Sequence, residues 1–178
     1  MLIILRIPYV KEIRSRTPYT TVPLGIIHKR DVTITVCYYE TNMMIDFVSY
    51  QQKRNEGFTD YVDMIFRLFL SSAVWYLKRL KQINSLIEKA KRNLDHGVNN
   101  ESLIGLSRLQ DSLTYFNTSI RGNENLLSKL KFKPNVQPNG HARLIDDNLD
   151  FTRTHISTIL MCILYQKYHF LFLYMFNF

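Results

Sequence analysis

Residues 59–94 read TDYVDMIFRLFLSSAVWYLKRLKQINSLIEKAKRNL, 36 positions without a glycine or a proline. No breaker interrupts that run. Thr59 is a residue type that caps helices, and Asp60 and Asp63 follow near the positive end of the helix dipole. The stretch predicts one helix about 50 Å long at 1.5 Å per residue. In its second half Ala73, Leu77, Leu80, Asn84, Ile87, Ala90 and Leu94 fall at spacings of four and three, while Lys78, Arg79, Lys81, Lys89 and Lys91 lie off that seam. A seam of this kind needs a partner helix.

The partner follows directly. Asp95-His96-Gly97-Val98-Asn99-Asn100 offers a C-terminal glycine and then a fresh N-cap, so the chain is expected to reverse there. Leu103, Leu106, Leu113, Phe116, Ile120, Asn123, Leu127 and Leu130 repeat the heptad-like steps, which predicts an antiparallel, coiled-coil-like helix pair. Each seam holds one asparagine, Asn84 and Asn123. A buried asparagine fixes helix register at some cost in stability, and a solvated seam edge accounts for the same pattern. Phe66, Phe69, Trp75 and Tyr76 recur at helical spacing and are expected in the core or in a subunit interface rather than around a ligand.

Upstream of the helices the text changes. Residues 2–7, 20–28 and 32–39 are rich in β-branched residues and bounded by turn formers, which predicts three strands. The third alternates, Val32, Ile34 and Val36 on one face and Thr33 and Thr35 on the other, as a half-buried strand does. The short link His28-Lys29-Arg30-Asp31 makes a hairpin of the second and third strands. A strand opening at residue 2 suggests that the parent sheet has more strands upstream and that the N-terminus is truncated. The fold class expected is therefore α+β: a small, partly missing sheet joined to long helices.

Downstream of Lys133-Pro134 the sequence changes again. Residues 1–50 read as a strand-rich part and 51–133 as the long helix pair of the same domain. Residues 134–142 read as a breaker-rich linker, and 143–178 as an acidic start, Asp146-Asp147-Asn148-Leu149-Asp150, followed by an apolar tail. The tail from Ile156 to Phe178 is long enough to cross a bilayer, but Gln166, Lys167, His169 and Asn177 interrupt it. A spanning helix, an amphipathic interfacial helix and a buried terminal helix all remain open readings.

Composition narrows the class. With 46% apolar and 21% charged residues the chain is globular, and 178 residues bury enough surface to fold without metal or disulfide staples. Cys37 and Cys162 lie far apart and form no framework. No nucleophile elbow, phosphate loop, HExxH pair or dinucleotide turn occurs, so the chain does not read as an enzyme. His141 and His155 flank the acidic stretch without metal-ligand spacing, and no metal is expected there. The net charge of +8 fits a nucleic-acid partner, an anionic membrane surface or a fragment whose acidic part is missing. The lysines between residues 78 and 92 occupy the back of a seam with no interleaved aromatics, however, so a nucleic-acid partner is not expected.

At Leu5-Arg6-Ile7-Pro8, Pro18-Tyr19-Thr20-Thr21-Val22-Pro23-Leu24-Gly25-Ile26-Ile27 and above all Asp111-Ser112-Leu113-Thr114-Tyr115-Phe116-Asn117-Thr118-Ser119-Ile120, the chain resembles the cytoplasmic domain of CorA-type magnesium transporters. The resemblance covers about residues 2–132. It implies a sheet-containing cytoplasmic domain bearing two long antiparallel helices, a homopentamer around a pore at the cell membrane, mostly on its cytoplasmic face, and Mg²⁺ as the transported or regulatory ion. It also implies a regulatory divalent site between subunits, for which Asp146, Asp147 and Asp150 are the candidates here, since carboxylate oxygens suit a hard cation. One departure is sharp: the family's Gly-Met-Asn signature occurs nowhere in these residues, the last glycine being Gly140. The expectation is a cytoplasmic-domain portion of such a transporter that does not conduct by itself. The rival is a stand-alone helical interaction module with a basic face.

Overall fold

The hydrogen-bonding parity of the first strand organises the whole molecule. A computed structural model describes residues 1–12, 15–54, 57–95 and 100–131. Their elements run β1 (Leu2–Val10), β2 (Tyr19–Lys29), β3 (Val32–Val36), α1 (Asn42–Arg54), α2 (Tyr61–Asp95) and α3 (Asn100–Lys131). This is the α+β class expected, with a three-stranded antiparallel sheet in the order β1-β2-β3.

Met1 and His28 exchange both backbone bonds, and the Lys11 amide bonds the Pro18 carbonyl. With the register Leu5↔Leu24 between them, the odd residues of β1 bond to β2 and the even ones turn their backbone groups outward. Both strand prolines exploit this parity. Pro8 lacks a donor that would only have faced the free side of β1. Pro23 turns its missing donor toward β3, beyond the end of that strand, where the Cys37 thiol reaches its carbonyl at 3.6 Å. Neither removes a ladder bond.

Side chains follow the same alternation. Ile3, Leu5, Ile7, Val22, Leu24 and Ile26 point inward and meet Met43 and Phe47 of α1, Val62, Ile65, Phe66 and Phe69 of α2, and Leu127 and Leu130 of α3. A second cluster, Ala73, Tyr76, Leu80 and Ile83 against Leu109, Phe116 and Ile120, joins the two long helices farther out.

Four details differ from the sequence reading. The cap of α2 is Asp60, one residue later than expected: its carboxylate accepts the Asp63 amide at 2.8 Å, while Asp63 accepts the Thr59 amide at 3.1 Å. The α2 seam runs through Tyr76 and Ile83 rather than Leu77 and Asn84, because a straight helix of 3.6 residues per turn drifts off a strict heptad. Helix α1, capped by the Thr41 hydroxyl on the Met44 amide at 3.3 Å, occupies residues where no helix was expected. Finally, the apolar set of β3 faces outward: Val32, Ile34 and Val36 are all exposed. The hairpin itself forms as expected, and Arg30 takes the left-handed conformation at φ 54° to close it.

Candidate functional site

A polar constellation lies where α2 and α3 meet the free edge of β1. Arg6 is an even residue, so its amide and carbonyl face outward from the sheet. Asn123 meets both: its Oδ1 accepts the Arg6 amide at 2.9 Å and its Nδ2 donates to the Arg6 carbonyl at 2.7 Å. The Tyr76 hydroxyl donates to the same carbonyl at 3.0 Å, filling the second lone pair. Asn123 thus behaves like one residue of an absent neighbouring strand. At Arg6 side chains thus fill the place of a pairing strand.

Above this clamp four residues of the run that carries the family resemblance form one stripe. Ser112, Phe116, Ser119 and Ile120 continue the face of α3 that holds Asn123, at steps of three, four and one. Ser112 Oγ accepts the Tyr19 amide at 3.2 Å and returns its own proton to the Arg108 carbonyl at 2.9 Å. Ser119 Oγ and Thr21 Oγ1 share a hydrogen bond at 2.8 Å. Phe116 receives Tyr76 edge-on at 5.1 Å and Tyr19 edge-on at 6.5 Å between ring centroids. The run that looks most like a motif is therefore a docking surface for the sheet, and its spacing is set by α3 lying against β1 and β2.

Burial pushes the Tyr76 phenol well above its ordinary value, the nearby Ser119 hydroxyl and Arg6 cation opposing that shift only in part. Tyr19 is raised by burial too, against the lowering influence of Arg79. Both hydroxyls stay neutral at physiological pH, which suits structural hydrogen bonding rather than proton transfer.

The predicted residues fare differently. Asn123 is buried, but its bonds run to β1 and not across the α2–α3 seam; Asn84 is exposed on α2. Asp146, Asp147, Asp150 and the apolar tail 156–178 lie outside the described residues. Among the described residues no cluster of three or more His, Cys, Asp or Glu side chains assembles, and no helix is long and apolar enough to cross a membrane. The basic stretch of α2 is partly occupied within the fold. Lys78 and Arg79 lie 4.1 and 4.8 Å from the Trp75 ring centroid, Arg79 donates to Gln82, and Lys91 pairs with Glu88 at 3.2 Å.

At the other end of α2, Asp63 is buried and holds Arg67 at 2.8 Å, which bridges to Gln51 of α1 at 3.0 Å and lies over Phe58. This network ties α1 to α2. Sequence reasoning missed it; the signal available was an aspartate four residues before an arginine on one helix face.

Comparison with known proteins places this architecture. A sequence model described as CorA-like Mg2+ transporter protein matches residues 2–163. Among curated proteins no sequence matches significantly. The fold is similar to the soluble domain of CorA from Methanocaldococcus jannaschii, with a TM-score of 0.76 and 19% identity over 92% of this chain and 67% of that one. It is similar to the complete CorA magnesium transporter from the same organism, with a TM-score of 0.69 and 20% identity over 95% of this chain and 56% of that one. The cytoplasmic domain of ZntB from Vibrio parahaemolyticus RIMD 2210633 aligns with a TM-score of 0.56 and 12% identity over 94% of this chain and 69% of that one.

Proposed function

The chain belongs to the CorA-like Mg²⁺ transporter family, and on that premise we propose that it serves as a cytoplasmic-domain portion of a magnesium or related divalent-cation transporter at the cell membrane. The observation that carries this reading is the agreement of sheet and helix pair with the M. jannaschii soluble domain over 92% of the chain. The chain spans 56% of the complete transporter it matches. Its residues include no Gly-Met-Asn, which supports a part that does not conduct by itself.

In this reading the β1 clamp is what makes the long helices a lever. Asn123 and Tyr76 lock α2 and α3 to the sheet, so a displacement at one end of the pair is transmitted rather than absorbed. Asp146, Asp147 and Asp150 then provide oxygen donors for a regulatory Mg²⁺ between subunits of a homo-oligomer, a pentamer in keeping with the resemblance. The partial occupation of the α2 cations by Trp75, Gln82 and Glu88 weighs against the rival, an interaction module that works through a basic face.

Light scattering on the purified full chain, with and without millimolar Mg²⁺, tests the proposal. The expected result is a Mg²⁺-dependent rise in mass toward a pentamer that is lost in the triple variant Asp146→Asn, Asp147→Asn, Asp150→Asn. A fixed monomer or dimer under both conditions overturns it.

A further inference from the structure

We draw no further inference here: the strongest candidate, the apolar patch of Ile4, Ile27, Ile34 and Val36 on the outer face of the sheet beside the free β3 edge, carries nothing because nothing in the structure shows what covers it.

Discussion

The two edges of the sheet are finished in opposite ways. On the β1 side, each outward backbone group of Arg6 has a partner, Asn123 and Tyr76 fill the carbonyl, and Pro8 removes the next donor altogether. On the β3 side, no hydrogen bond among the described residues meets the outward backbone groups of Thr33 and Thr35, beside a field of isoleucine and valine. The helix layer therefore covers one face and caps the β1 edge at its middle, at Arg6. What it leaves open carries Ile4, Ile27, Ile34 and Val36.

The contrast predicts where mutations hurt. Phe116→Ala should have the largest effect, about 3–5 kcal/mol, because the ring is wholly buried and holds Tyr76 and Tyr19 edge-on above the clamp. Urea unfolding of the isolated chain measures it. A loss below about 1 kcal/mol would mean that α3 is not fastened to the sheet through this stripe.

Asn123→Ala comes next. It leaves the Arg6 amide without a partner in a site shielded by two helices, at a cost of about 2–3 kcal/mol. The same truncation at Thr35, exposed on the β3 edge, should change stability by less than about 0.5 kcal/mol. Equal effects at both positions would erase the distinction between the two edges.

The clamp also makes stability depend on pH at the alkaline end. Tyr76 is raised above its ordinary value in the folded chain, chiefly by burial. Below about pH 10 both folded and unfolded chains keep the phenol protonated, and its contribution is complete. Above that pH the unfolded chain releases the proton while folded Tyr76 holds it, so stability should fall by up to about 1.4 kcal/mol per pH unit. Denaturant midpoints measured between pH 8 and 11 check this. Tyr76→Phe should flatten the slope while lowering the plateau, since it removes the hydroxyl on the Arg6 carbonyl.

Much of this architecture is legible in the residues themselves. The breaker-free run 59–94, the reversal at Gly97 and the β-branched segments mark the helix pair and the strands, because periodicity and turn chemistry are local properties. The clamp is not legible in that way. Asn123 reads as a seam position from spacing alone, and its pairing with Arg6 depends on 117 intervening residues bringing α3 to the β1 edge. The same limit explains β3. Alternation shows that Val32, Ile34 and Val36 share a face, but not whether that face turns toward the helices or away from them. Helix α1 escaped because Thr41-Asn42-Met43-Met44 is a weak start signal with no acidic residue in the first turn.

The smallest expected effect is the most discriminating. Ile26 and Ile27 are neighbours in β2 with the same side chain, one inward at 1% exposure and one outward at 42%. Threonine keeps the β-branch and the strand preference, so replacing either residue changes burial and little else. Ile26→Thr puts a hydroxyl into the apolar core and should destabilise the isolated chain about as much as the Asn123 change. Ile27→Thr should shift its stability by no more than about 0.5 kcal/mol and raise its solubility, because the patch meets water there. If Ile27→Thr instead costs more than about 1 kcal/mol in the purified chain, the outer face is already covered when the chain is alone, and the open side of the comparison disappears.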